Sequence, residues 1–216
     1  MTGFTQFVCD FLPKDIMNYL ANVKHLRLAA SELSVFGAGI YGDSYYSLDM
    51  FPLTGRIPTL LSLELKNIVL GDTFMIYLQT QADNLRELTL HNCMCLSPTD
   101  GPFDEWPHTE AGEVQWSDIW ACILLRIPAM RRVTFVQNEQ PPLPPAYSRL
   151  VEEMLEAGED LTVWRYITID EDWGNVHEDE EANFEEVRLG NACTIYGEMM
   201  KVLADRRESE ESADEE

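Results

Sequence analysis

Positive charge is scarce in this sequence. Its 15 lysine and arginine residues stand against 38 aspartate and glutamate residues, and the formal net charge is −23. Proteins that bind nucleic acid neutralise phosphates with lysine and arginine, so the composition argues against nucleic acid as a partner. The deficit is uneven, because residues 151–216 hold 22 acidic and 5 basic residues. These acids permit basic partners, or they simply keep the end of the chain in solution.

Long apolar runs and paired cysteines are also missing. No stretch of about 18 apolar residues occurs, so the sequence predicts no membrane span. The first residues have no basic side chain before Lys14, which is unlike a secretory or transit peptide. Five cysteines, at positions 9, 93, 95, 122 and 193, form neither an even disulfide framework nor a zinc spacing. We therefore expect reduced thiols in a cytoplasmic or nuclear protein.

Signatures of catalysis are absent as well. The sequence contains no G-x-S-x-G, no P-loop and no H-E-x-x-H motif. No cysteine and histidine stand at the spacing of a known protease family. The prediction is a non-enzymatic protein with no catalytic residue, no cofactor and no metal.

A recurring leucine spacing is what the sequence does contain. The spacing L-x-x-L-x-L-x-x-N/C-x-L occurs twice, 25 residues apart, and this period is typical of leucine-rich repeats. Alternate side chains of a strand share a face, so the second and third positions of each copy are expected to point inward together. The two copies are Leu60, Leu63, Leu65, Ile68 and Leu70, and then Leu85, Leu88, Leu90, Cys93 and Cys95.

Two less regular copies flank this pair. One begins at Val23 and places Leu26 and Leu28 inward, and the other begins at Met130 and places Val133 and Phe135 inward, with Asn138 at the N/C position. Unequal distances between the four starts predict loop insertions at 34–56 and 97–115. The predicted fold class is α/β, a short irregular leucine-rich-repeat solenoid with parallel strands and helices on the convex side.

The chain changes character after residue 140. We predict a degenerate repeat domain over 1–140, a helix–strand–helix extension over 141–207 that packs on the last repeat, and a disordered acidic tail over 208–216. Helices are predicted near 13–21, from a cap at Asp72 or Thr73, from a cap at Ser117 to Pro128, over 146–157, and over 194–207.

Aligning the repeats predicts which side chains share the exposed, concave face of the sheet. Arg27 then faces Glu64, and Glu87 faces Arg132, because adjacent strands lie about 4.8 Å apart. These pairs either balance the face laterally or belong to a binding surface, since solenoid faces commonly bind partners. The candidate partner-binding residues are His25, Arg27, Glu64, Lys66, Glu87, Thr89, His91, Arg132 and Thr134.

The first insertion carries three tyrosines, Tyr41, Tyr45 and Tyr46. Tyrosine is favoured in interfaces, so these side chains are candidate loop anchors for a partner. The alternative is that they fold back over the end of the sheet as part of its local core.

Several segments together resemble a known family. They are LRELTLHNCMCL, the later strand MRRVTF, and the endings WRYITIDEDWGNVHEDEEANF and GNACTIYGEMMKVLADRR. From about residue 12 to 207 the chain resembles fungal F-box proteins with degenerate leucine-rich repeats. The resemblance implies a protein-interaction module, either the substrate-recognition part of an F-box protein of a ubiquitin ligase or a truncated relative. No F-box is visible beyond the pair Leu12-Pro13, so binding to a Skp1-type adaptor is expected only if an F-box lies upstream.

The acidic end of the chain supports a different function. An acidic repeat protein of the nuclear leucine-rich type binds basic proteins such as histones through its tail. That alternative predicts salt-sensitive histone binding that depends on residues 206–216.

Overall fold

The computed structural model describes residues 19–30, 38–40, 47–49, 57–97, 114–156, 162–169 and 176–214. They form a mixed α/β fold with parallel sheets. The strands are β1 (His25–Ala29), β2 (Ala38–Ile40), β3 (Ser47–Asp49), β4 (Ser62–Lys66), β5 (Val69–Leu70), β6 (Glu87–His91), β7 (Met94–Leu96), β8 (Arg132–Val136), β9 (Tyr166–Ile169) and β10 (Val176–Glu178). The helices are α1 (Asp72–Thr80), α2 (Trp116–Arg126), α3 (Pro145–Glu156), α4 (Glu180–Leu189) and α5 (Asn191–Asp214).

The main sheet has the strand order β1-β4-β6-β8, with all neighbours parallel. Its register matches the repeat alignment residue for residue. The inner positions form the rungs Leu26–Leu63–Leu88–Val133 and Leu28–Leu65–Leu90–Phe135. In β4 and β6 these leucines are fully buried, while the residues between them are half-buried. Each buried leucine contributes about 1.5–3 kcal/mol, and a shift by one residue would expose the whole set.

A second sheet has the order β10-β9-β7-β5. Strands β5, β7 and β9 are parallel, and β10 pairs with β9 in the antiparallel direction. The alternation of side chains does not predict β5 or β7, because each has only two or three residues. The strand of the predicted helix–strand–helix extension corresponds to β9.

Two asparagines make the turns that lead from the main sheet to the second one. Asn67 follows β4 and Asn92 follows β6, and both have positive φ, 54° and 49°. Asparagine tolerates this left-handed conformation better than other non-glycine residues. The turns are held by side chains, since Asn67 Nδ2 donates to Ala30 O at 2.7 Å and Asn138 N donates to Asn92 Oδ1 at 2.8 Å.

The described part of the chain thus repeats a strand–turn–strand–helix order. The first unit is β4–β5–α1, the second is β6–β7–α2, and the third is β8–β9–α5. Helix α1 contacts α2, and α2 contacts α5, so the three unit helices lie side by side. In the third unit the segment 137–165, which includes α3, separates β8 from β9. Strand β10 and helix α4 separate β9 from α5.

The buried core crosses the predicted boundary at residue 140. One hydrophobic cluster includes the leucines of the first two units together with Trp164, Tyr166, Met199 and Leu203. Five aromatic rings join the second unit to the third, with neighbouring centroids 4.8–5.9 Å apart: Trp116, Trp120, Phe135, Trp164 and Tyr196. The segment after residue 140 therefore supplies part of the same core.

Several local predictions were wrong. Helix α1 has Gly71 as its N-cap, and not Asp72 or Thr73. Helix α2 begins after Gln115, and the Gln115 N–H donates to Asp118 Oδ2 at 3.0 Å, whereas Ser117 was the predicted cap. The insertion 34–56, predicted as loop, contains the short antiparallel pair β2–β3.

The predicted disordered tail is also corrected, because α5 continues to Asp214. Its last turns are anchored by ion pairs from Glu210 to Arg86 and Arg131. The exposed hydroxyls of Ser209 and Ser212 each donate 2.8 Å bonds to the carbonyl four residues earlier. The predicted helix near 13–21 lies almost wholly outside the described residues, as does most of the predicted loop 97–115.

Candidate functional site

The outer face of the main sheet brings all nine predicted face residues together. Each strand contributes alternate side chains, and the pairing aligns them in three rows across β1, β4, β6 and β8. The rows match those predicted from the leucine spacing. They are His25–Ser62–Glu87–Arg132, Arg27–Glu64–Thr89–Thr134 and Ala29–Lys66–His91–Val136. We call these twelve residues the outer face.

Two lateral ion pairs cross the outer face, as predicted. Arg27 Nε lies 3.0 Å from Glu64 Oε1, and Arg132 Nη1 lies 3.4 Å from Glu87 Oε1. All four side chains keep a third or more of their surface exposed. Exposed pairs of this kind contribute only about 0–1 kcal/mol each. These side chains are therefore placed by the strands and are not needed to hold the sheet together.

The carboxyl-terminal end of the outer face is held by a small polar network. His91 Nε2 lies 2.8 Å from Asn138 Oδ1, and the Asn138 backbone is bonded to Asn92. Asn138 was predicted at the inward-turning N/C position of the last repeat. The register contradicts this placement, because the pairing of Cys95 with Tyr166, extended back by two residues, brings Trp164 beside Cys93. The leucine-repeat spacing does not identify Trp164 as this position, because α3 lies between β8 and Trp164 in the chain.

The charge of the outer face differs from that of the chain. The face carries Arg27, Lys66 and Arg132 against Glu64 and Glu87, with two histidines beside them. The whole chain has a net charge of −23. A surface that is locally balanced on an acidic protein can orient a partner with mixed charges, because local complementarity governs docking at short range.

A basic row borders the outer face at the amino-terminal ends of the strands. Backbone bonds from Leu61 N to Lys24 O, Arg86 N to Leu61 O and Arg131 N to Arg86 O align these positions, each 2.8 Å long. Glu210 of α5 forms ion pairs with this row, with its Oε1 3.0 Å from Arg131 Nη2 and 3.8 Å from Arg86 Nη1. The acidic end of the chain is thus partly engaged within the molecule. Sequence reasoning missed this contact because Glu210 stands in an acidic run.

The loop tyrosines Tyr41, Tyr45 and Tyr46 lie outside the described residues. Their predicted role as anchors, and the alternative as local core, both stay predictions.

The thiols in the described segments lie in the core or at its border. Cys93 Sγ donates to Leu65 O of the neighbouring strand β4 at 3.5 Å. Burial raises the pKa of Cys93 to about 12 and raises the pKa of Cys122. A thiol nucleophile needs a lowered pKa, so neither side chain has the environment of one. The described residues contain no group of three or more side chains suited to a metal ion.

A buried carboxylate in the third unit has no counterpart in the sequence analysis. Glu186 is only 5% exposed. It accepts from the Tyr166 hydroxyl at 2.7 Å and from the Ala192 N–H at 3.1 Å, at the start of α5. Tyr166 in turn accepts from the Trp116 N–H at 3.2 Å, and its pKa is raised, chiefly by burial. The network joins α2, β9, α4 and α5, and an isolated glutamate in an acidic stretch gives no signal of it.

Comparison of the chain with protein-family models, with curated proteins and with solved structures found no match. Among the described helices, none is both long enough and apolar enough to cross a bilayer.

Proposed function

We propose that this chain is a non-catalytic protein-interaction module built as a short, irregular leucine-rich-repeat solenoid, and that it binds a protein partner through the outer face. One observation carries the proposal. Four parallel strands hold twelve side chains in aligned rows, while the leucines between them fill the core. Stacked units of this kind form extended binding surfaces because each unit adds one rung.

The energetics of the outer face support the same proposal. Its charged side chains contribute little to stability, so the fold leaves them available for recognition. Two lateral pairs hold Arg27, Glu64, Glu87 and Arg132 in defined positions, which lowers the entropy lost when a partner binds. In the family that the sequence resembles, such a module would select the substrate of a ubiquitin ligase. An adaptor interaction would then require an F-box segment joined to this chain.

Alanine substitution of the two lateral pairs tests the proposed function. The variant Arg27→Ala/Glu64→Ala/Glu87→Ala/Arg132→Ala is compared with the unchanged chain in affinity purification from its own cells, followed by quantitative mass spectrometry. We expect a specific partner whose recovery falls at least about tenfold, since losing 1.4 kcal/mol of binding energy has that effect.

The control is Arg149→Ala/Glu153→Ala, which removes an exposed pair on α3, outside the outer face, with its atoms 2.9 Å apart. This variant should retain the partner. Equal recovery of every partner by the outer-face variant and the control would rule out the proposed surface.

A second candidate function is binding of basic proteins such as histones through the acidic end of α5. The exposure of Glu208 and Glu211 favours it. Removal of residues 206–216 is a poor test, because Arg206 bonds three carbonyls in and after α2. Neutralising both acids with Glu208→Gln/Glu211→Gln should weaken salt-sensitive histone binding while the fold is kept. Unchanged binding would exclude this function.

A further inference from the structure

Strand β8 forms one edge of the main sheet. Two backbone bonds show which of its groups face β6, namely Arg132 N to Arg86 O at 2.9 Å and Asn92 N to Val136 O at 2.8 Å. Main-chain groups alternate between the two sides of a strand. The N–H and C=O groups of Val133 and Phe135 therefore face away from β6, toward the free edge.

Each earlier strand uses the equivalent groups to bind its successor. In β4 the residues in register with Val133 and Phe135 are Leu63 and Leu65, and they face β6. The bond from Glu87 N to Leu61 O, 3.0 Å, begins that ladder, and the bond from Asn67 N to His91 O, 3.0 Å, closes it. Among the described residues, no strand is hydrogen-bonded to this side of β8, and no hydrogen bond reaches the main chain of Val133 or Phe135 there.

A cavity opens beside the carboxyl-terminal half of this edge. Its volume is about 340 Å³, and its walls come from β8, from the residues after it, from α3 and from the segment before β9. Phe135, Val151 and Val163 supply apolar surface, and Thr162 and Gln137 supply polar groups. The Gln137 Nε2 atom is buried and has no hydrogen-bond partner among the described residues. A buried amide donor without a partner costs about 1–3 kcal/mol, so an incoming acceptor would be favoured here.

Nothing in β8 itself blocks the edge. Natural edge strands are usually protected by charge, proline or a bulge. Within Arg132–Val136 the one charged side chain is Arg132, which points to the outer face, and the strand has neither proline nor a bulge. Main-chain donors and acceptors at strand spacing are complementary to an extended backbone. A helix, about 10–12 Å across and with its own backbone bonds satisfied, would not pair with them.

We propose that a protein partner docks on this edge by adding one extended segment as a fifth strand, parallel to β8. Its main chain pairs with the N–H and C=O groups of Val133 and Phe135. One of its carbonyl or amide oxygens accepts from Gln137 Nε2, and a polar side chain enters the cavity. Such strand addition derives affinity from main-chain bonds and selectivity from the pocket. The proposal rests on the interaction role proposed above, but it uses a surface distinct from the outer-face side chains.

The probe is a synthetic peptide with the sequence of residues 84–92, NLRELTLHN. In the structure, the main-chain groups of Glu87, Thr89 and His91 in this segment pair with β4. The β4 groups that they contact are equivalent to the free groups of β8. Amide hydrogen exchange of the full chain is measured with and without peptide. With the peptide at ten times its dissociation constant, exchange at Val133 and Phe135 should slow about tenfold. The amides of Leu63 and Leu88, which are inside the sheet, should not change.

Two methylated peptides provide the matched control. N-methylation at Glu87 and Thr89 removes the donors that would face β8, and it should abolish the protection. N-methylation at Leu88 and Leu90 removes donors that face away, and the protection should persist. Equal behaviour of these two peptides, or unchanged exchange at Val133 and Phe135 at millimolar peptide, would overturn the proposal.

A protein variant separates the edge from the outer face. Gln137→Met removes the buried donor at similar volume and should weaken peptide binding about fivefold, as expected for one hydrogen bond. The four outer-face alanines should leave peptide binding unchanged. The outer-face variant therefore tests partner capture, and the Gln137 variant tests peptide binding. Because the two readouts are separate, failure of one proposal can be distinguished from failure of the other.

Discussion

The second and third units build the same arrangement from differently spaced segments. In the second unit only Asn92 and Cys93 separate β6 from β7, whereas residues 137–165 separate β8 from β9. In both units the strands nevertheless pair in register with the strands of the preceding unit. Long insertions are tolerated because loop-closure entropy grows only slowly with length, while a slip in register would expose buried side chains. Side-chain spacing within each strand therefore matters more than the period between strands.

The equivalent positions Cys93 and Trp164 show a second difference. Cys93 is a small side chain whose thiol donates to Leu65 O in strand β4 of the first unit. Trp164 lies at the end of the stack, where its ring contacts Trp116, Trp120, Phe135 and Tyr196. Because no fourth unit follows in the described segments, a large aromatic side chain fills the space that a neighbouring unit would otherwise occupy.

Removal of the indole at the end of the stack should have the largest effect. Trp164→Ala should lower the free energy of unfolding by about 3–5 kcal/mol, because it removes a fully buried aromatic and leaves a cavity. Cys93→Ala at the equivalent position should cost clearly less. Both values come from urea unfolding followed by circular dichroism. A similar cost at both positions would contradict the distinct role given to Trp164.

The helix of the third unit is clamped to that of the second by Arg206. Its guanidinium donates to Leu124 O at 3.2 Å, Ile127 O at 3.1 Å and Met130 O at 3.4 Å. These carbonyls lie at and beyond the end of α2, where they lack helical donors. Arg206→Ala should lower the free energy of unfolding by about 1.5–3 kcal/mol, the range for bonds to a charged group. Arg207→Ala, one residue further on, is the control and should change stability by less than about 0.5 kcal/mol.

Alkaline pH should affect the second unit through Cys93. Burial raises the pKa of Cys93 to about 12, from an ordinary value near 9. Below pH 9 both the folded and the unfolded thiol are protonated, so stability is unaffected. Between about 9 and 12 the unfolded chain loses this proton and the folded chain keeps it, so stability falls by up to about 1.4 kcal/mol per pH unit.

Unfolding of the unchanged chain and of Cys93→Ala, measured at pH 8 and pH 10, isolates this effect. The stability of the unchanged chain should fall more steeply, by about 1 kcal/mol over this interval. Parallel pH profiles would show that the thiol already ionises within the fold. The equivalent position in the third unit offers no such effect, because Trp164 does not titrate.

The sequence predicted the main sheet because its signal is local. Leu63, Leu65, Leu88 and Leu90 recur at strand spacing, and both lateral ion pairs follow from that register. The second sheet gave no comparable signal, since β5 and β7 are too short for alternation to show. Trp164 was missed because its register partner Cys93 lies 71 positions earlier, across two insertions.

Long-range contacts explain the remaining differences. The last turns of α5 resemble a disordered tail in composition, and their order depends on Glu210 reaching Arg86 and Arg131. Glu186 resembles any surface acid until Tyr166 and the start of α5 enclose it. Free edges are likewise invisible in a sequence, because they depend on which strand has no neighbour.

The late completion of the third unit also matters while the chain is being made. Translation delivers β8 long before β9 and α5, and domains assemble from the amino terminus as they emerge. Until Trp164 and Tyr196 have left the ribosome, the indoles of α2 lack the ring contacts that these two residues supply. A stalled or prematurely terminated chain would therefore present an incompletely covered aromatic surface to chaperones, even with its first two units folded.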